Sequence, residues 1–279
     1  MSKPVDRLGV RTPVTGSANR RPYASARTVQ LLELDPELGA GIAPAQRSAA
    51  TSQAVAAVLA FNRGPWRFRP RENGGLGAFV LEGLILVRVE FAGIRAHVEL
   101  LGEGDMISPW YGVGRRASAP CVVTARVISN LKLALLDRGF AERTARWPEI
   151  HSALMQRLLD RSRMLSVQSA INSLPRVEER LAITLWQLAG RFGRVTPDGI
   201  RLHLPVTHSQ LAEIVCAQRP SVTTAIARMR DQGQVVLTAR HQWLLRGDPA
   251  AQFGAAWGDG QASPAAALDD MSALRGRLD

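Results

Sequence analysis

The sequence predicts an α+β fold in three parts: an antiparallel β-roll, one long amphipathic helix, and a C-terminal pair of short helices closed by a β-hairpin. Three observations predict it. Between Trp66 and Asp137, glycine turn signals recur about every nine or ten residues and separate short Val/Leu/Ile/Phe runs. Apolar residues then recur at helical spacing through Glu149–Leu174, interrupted at Ser162, Gln168 and Ser169. Finally, Thr207–Asp248 holds two short helical patterns, a tight turn and a hairpin pattern.

The elements follow in order. Residues 1–45 are rich in Pro, Gly, Ala, Ser and Arg and are expected to form a disordered arm. Residues 46–61 suggest a short helix with Val55, Val58 and Leu59 on one side. In the roll, Val87, Val89 and Phe91 alternate with Arg88 and Glu90, which is strand period. CVVTARVI and LKLALLD, within 119–137, add two strands. A short helix is expected over Asp137–Trp147, with Pro148 tolerated in the first turn of the next. That next helix has about 25 residues and spans about 37 Å at ~1.5 Å per residue. Ile150, Leu154, Leu158 and Leu165 form its apolar stripe, the expected seam of a homodimer. Packing of the same stripe on its own roll is the alternative. Arg176–Arg191 is a further helix, with Val177, Leu181, Leu185 and Leu188 on one face. Pro197-Asp198-Gly199 marks a turn between two extended pieces. Beyond Asp248 an acidic, disordered tail is expected. The domain bounds are therefore 1–45 (arm), 46–147 (roll), 148–174 (connecting helix), 175–247 (terminal domain) and 248–279 (tail).

Composition narrows the function. With 46% hydrophobic and 21% charged residues in 279, most of the chain can bury a core. No apolar run approaches the ~20 residues of a membrane-spanning helix, and no secretory h-region is visible. Two cysteines, Cys121 and Cys216, are too few for a disulfide or metal framework, and both are expected to be buried. A reduced, cytoplasmic protein with no membrane partner is the expectation. Net charge is +11, and residues 138–247 carry 16 basic against 8 acidic residues. Such an excess suits a polyanion. The five histidines form no metal-binding spacing, and no P-loop or nucleophile motif occurs, so no enzyme is expected.

The terminal domain carries the function. Thr207 is a good N-cap, and Leu211, Ile214 and Val215 face inward while Gln210 and Glu213 face out. Cys216 and Ala217 make a tight turn. The second helix runs from about Gln218 to Gln232 and buries Val222, Ala225, Ile226 and Met229. Pro220, Thr223, Thr224 and Ala227 point the opposite way, flanked by Arg219 and Arg230. Gly233 ends the helix, and a hairpin turns at Ala239-Arg240-His241. This is the pattern of a winged helix-turn-helix, whose second helix lies in the major groove of double-stranded DNA. The expected contacts come from Thr207, His208, Gln218, Arg219, Ser221, Thr223, Thr224 and Arg228. Hydroxyls and helix N-termini hold phosphates, and Arg219 reaches a base edge.

These residues resemble the Crp/Fnr family of bacterial transcription regulators. VTPDGIRLHLPVTHSQLAEIV is similar to the family's PDG hairpin and "I-T-x-x-[ED]-[LI]-A" helix. QRPSVTT resembles its recognition helix "S-R-E-T-V-x-R", with Arg219 and Val222 matching and Ser221 in place of Thr. Pro220 stands for the usual Glu, Thr224 for the usual Arg and Cys216 for the usual turn Gly, so the DNA site differs from the family's best-known one. EGLILVRVEFAGIRAHVELLGEGDMI is similar to the family's cyclic-nucleotide-binding-like roll. The resemblance implies a homodimer, an effector-sensing or structural roll, and RNA polymerase as a further partner. The pocket motif is degenerate: Ser108-Pro109 replaces Gly-Glu, and only Arg115, Arg116 and Ser118 remain to meet an anion. No cofactor, cyclic nucleotide included, is expected. The alternative is an effector-binding module that binds RNA or an acidic partner without sequence preference.

Overall fold

The computed structural model describes residues 23–66, 75–91, 94–107, 121–239 and 241–247. Arg115, Arg116, Ser118 and the proposed tail from 248 lie outside them, as do residues 1–22 of the expected arm.

The rest of that arm is ordered structure. It forms β1 (Tyr23–Gln30), α1 (Leu31–Leu34) and a 3-10 turn at Pro36–Gly39, followed by α2 (Pro44–Gln53). Leu31 and Leu38 are fully buried. Three leucines and Ile42 provide the apolar burial that offsets the ordering of this segment. The helix expected over 46–61 ends at Gln53, and Val55–Phe61 is strand β2 instead. It pairs antiparallel with β1 and with β9 (Leu131–Leu136), which supplies partners for its backbone.

The roll is completed by β3 (Gly64–Trp66), β4 (Gly77–Glu82), β5 (Ile85–Phe91), β6 (Ile94–Leu101), β7 (Met106–Ile107) and β8 (Cys121–Val127). Two antiparallel sheets result, in the orders β1-β2-β9-β4-β7 and β3-β8-β5-β6. Val80, Ile85, Val87, Leu101, Ile107 and Leu133 fill the space between them. Gly83 (φ +95°) makes the β4–β5 turn, where a Cβ would meet the Asn130 carbonyl oxygen at 2.0 Å.

Asp137 caps α3 (Arg138–Thr144) by accepting from the Phe140 N–H at 2.8 Å. The long helix α4 (Pro148–Asn172) follows. Its expected seam faces its own domain. Ile150 (0% exposed) and Leu154 (3%) pack with Leu38, Phe79 and Phe140, and Leu158 lies against the same cluster. Leu165 is half-buried and lines a cavity against the roll. Arg157 fixes the overlying 3-10 turn through Asp35 (3.0 Å) and Glu37 (2.6 Å). The other face of α4 leaves Met155, Leu159 and Val167 exposed.

The terminal domain comprises α5 (Val177–Phe192), β10 (Gly193–Thr196), β11 (Gly199–His203), α6 (His208–Ile214), α7 (Arg219–Asp231), β12 (Val235–Ala239) and β13 (Gln242–Leu245). Its sheet order is β10-β11-β13-β12. One continuous core joins it to the roll: Leu84, Leu86, Val98 and Leu100 pack with Leu181, Leu185, Leu188 and Ile214. No helix among the described residues is long and apolar enough to cross a membrane.

Candidate nucleic-acid interface

Helix α6 starts at a reciprocal cap. The Thr207 hydroxyl accepts from the Gln210 N–H at 3.2 Å, and the Gln210 side-chain oxygen accepts from the Thr207 N–H at 2.8 Å. Gln210, expected to face out, is therefore folded back and buried. Glu213, also expected outside, is half-buried and accepts from Arg88 of β5 at 2.6 Å. That ion pair fastens the first helix of the motif to the roll.

The turn between the helices is built around Cys216 in a left-handed conformation (φ +49°). Its thiol is exposed, which corrects the expectation of burial. A left-handed backbone crowds a Cβ against the neighbouring carbonyl oxygen, and glycine is the usual occupant for that reason. The Ala217 N–H closes the turn on the Ala212 carbonyl at 2.8 Å. Arg180 donates to the Cys216 carbonyl (3.1 Å), and Asn172 donates to the Ile214 carbonyl (3.4 Å). The end of α4 and the start of α5 thus hold the turn in place. The Cys121 side chain lies outside the described residues.

Helix α7 begins after Gln218 and accommodates Pro220 in its first turn, where a missing N–H costs no helical bond. Val222, Ala225, Ile226 and Met229 are buried, none more than 4% exposed. Gln218, Arg219, Pro220, Ser221, Thr223, Thr224, Ala227 and Arg228 are all exposed. The expected contact residues of α7 are therefore all exposed, as is Thr207, while His208 at the start of α6 is half-buried. The His208 ring Nδ1 lies 3.1 Å from the Thr223 hydroxyl, which in turn donates to the Arg219 carbonyl at 3.0 Å. Arg228 reaches Glu178 of α5 at 3.4 Å.

A second polar cluster lies where α4, α5 and the roll meet. Arg161 donates through two nitrogens to both carboxylate oxygens of Glu99, each at 2.7 Å, and to the Met106 carbonyl. Arg191 of α5 pairs with Asp105, whose carboxylate also accepts from the Gly102 N–H at 2.7 Å. Burial raises the Asp105 pKa against the opposing pull of Arg191. Burial also lowers that of His97; Glu99 opposes this and Arg161 reinforces it. These residues surround a cavity of about 50 Å³, far below the ~300–1,000 Å³ of a small-molecule site. Sequence reasoning missed the whole cluster, since its partners are 55 to 86 residues apart.

Residues 179–250 match the Crp-like helix-turn-helix domain. The terminal domain is thus similar to the DNA-binding domain of Crp-like transcription regulators. Among similar proteins, the global nitrogen regulator of Synechococcus elongatus is 26% identical over 74% of this chain and 89% of its own. The CRP-like cAMP-activated global transcriptional regulator of Mycobacterium tuberculosis is 27% identical over 72% of this chain and 88% of its own. Solved structures share the Crp/Fnr fold. FixK2 from Bradyrhizobium japonicum aligns with a TM-score of 0.56 at 15% identity, covering 75% of this chain and 99% of that one. A CooA mutant from Carboxydothermus hydrogenoformans aligns at 0.54 and 16% identity, covering 81% and 94%. The Synechococcus and Mycobacterium relatives are both regulators by name, and residues 179–250 of this chain match a Crp-like helix-turn-helix domain.

Proposed function

We propose that this protein is a sequence-specific regulator that binds duplex DNA as a homodimer. Each copy lays α7 in a major groove, with the two grooves one duplex turn apart, about 34–36 Å. The observation that carries this reading is the two-sidedness of α7. One face is locked into the core, while the other presents an arginine, hydroxyls and methyl groups to solvent. Thr207, His208, Ser221 and Arg228 serve the phosphate backbone, and Arg219 meets guanine O6 and N7.

The dimer forms through the outer face of α4. Met155, Leu159, Ser162 and Ser166 are exposed and spaced four, three and four apart, the spacing of a two-stranded seam. The small serines let two helices approach closely. The roll acts as effector or structural modulator. Its lever is the pair of contacts, Arg88–Glu213 and Asp105–Arg191, that tie it to the helices carrying the reading head. RNA polymerase is the onward partner of such a regulator, and the cytoplasm is where it meets DNA.

A competition binding assay tests the reading. The full chain is titrated onto the duplex upstream of its own coding sequence, against random duplex and against RNA. A regulator retains a preference for one duplex across salt concentrations, whereas a general polyanion binder shows salt dependence alone.

A further inference from the structure

The geometry points to Thr223 as a reader of the thymine 5-methyl group. This rests on the groove-binding reading above and names what that groove contains. Arg219, Thr223 and Ala227 are exposed and four residues apart, so they share one strip of α7. Thr223 sits about 6 Å along the helix from Arg219, at ~1.5 Å per residue, or roughly two base-pair steps.

The Thr223 hydroxyl has one proton, and it is donated to the Arg219 carbonyl at 3.0 Å. The 3.1 Å contact with His208 is then one in which the ring Nδ1–H donates and the threonine oxygen accepts. No proton remains for the acceptors that purines present in the major groove, N7 and guanine O6, nor for thymine O4. The expected hydroxyl-to-phosphate bond from this residue is excluded for the same reason, because a phosphate oxygen only accepts. What the side chain has left is one lone pair on its oxygen and its γ-methyl, with the Ala227 methyl one turn further on. Among the four bases only thymine offers a carbon group in the major groove, the C5-methyl. The half-site therefore pairs a guanine under Arg219 with a thymine under Thr223. The hydroxyl's bonds to Arg219 and His208 hold the side chain in its rotamer.

The test begins with the full chain selecting duplexes from a random library. Each thymine of the selected half-site is then replaced by deoxyuridine, which removes only the methyl. For the wild-type protein, one or two positions should weaken binding by about 4-fold per half-site, the scale of one buried methyl. Thr223→Ser keeps the hydroxyl and should bind thymine and deoxyuridine duplexes equally. Thr223→Val keeps a methyl and should retain the difference. The assignment is overturned if deoxyuridine is neutral at every position, if the difference survives in Thr223→Ser, or if it is lost in Thr223→Val. Selection that enriches no sequence would overturn the groove reading itself and this assignment with it.

Discussion

Replacing Met155 and Leu159 together by Asp should dissociate the dimer without unfolding the subunit. Met155 is 56% exposed and Leu159 49%, so about half of each side chain is still available to be covered. Full burial of a Met or Leu is worth ~1.5–3 kcal/mol, which leaves ~0.8–1.5 kcal/mol per side chain for the interface. Two copies contribute four such side chains, or ~3–6 kcal/mol. At ~1.4 kcal/mol per tenfold, the dissociation constant should rise by at least about 10²–10⁴. Four carboxylates in the seam add repulsion to that minimum. Sedimentation equilibrium at micromolar protein reads the mass, and a thermal melt reads the fold. Leu154→Ala is the contrasting variant, since Leu154 is 3% exposed inside its own domain. It should cost ~2–5 kcal/mol of subunit stability, the range for a cavity of this kind, and leave the dimer contacts intact. Unchanged mass in the double variant would refute the reasoning. So would a Leu154→Ala protein that becomes monomeric with an unaltered melting temperature.

Two further predictions concern the reading head and the cluster behind it. Arg219→Ala should cost ~1–3 kcal/mol per half-site on the selected duplex and much less on random duplex, measured by fluorescence anisotropy. Equal losses on both would show that Arg219 only meets phosphate. The His97 pKa is lowered by burial, so the folded protein resists protonating it more than the unfolded chain does. Stability from this group is present above the ordinary imidazole value of about 6.5 and is lost as pH falls from there through the folded value. Melting temperature should therefore drop on acidification below about pH 6.5, and His97→Gln should drop less. An identical pH profile in the variant would contradict the assignment.

Much of the terminal domain was legible because its signals are local. Thr207 caps its helix as its residue type predicts, and the buried positions of α7 recur at helical spacing. The roll's strands were likewise visible from their turns. Val55–Phe61 was not, because a short apolar run suits helix and strand alike until a neighbouring strand offers hydrogen bonds. Helix α4 carries two apolar stripes, one through Ile150 and Leu154 and one through Met155 and Leu159. Periodicity finds both but does not say which one the roll takes. Cys216 was expected to be buried, whereas it is exposed in a left-handed turn that no residue-type signal marks. Arg88 and Glu213 are separated by 125 residues, so nothing local announces their pairing.

Dimethyl sulfate footprinting of the bound, selected duplex examines the central claim most directly, because it separates guanine N7 in the major groove from adenine N3 in the minor groove. Protected guanines should fall in two clusters about 10–10.5 base pairs apart, on one face of the duplex. In the Arg219→Ala protein one guanine per cluster should become reactive again. Full guanine reactivity in the saturated complex, or protection confined to adenines, would show that α7 does not enter the groove.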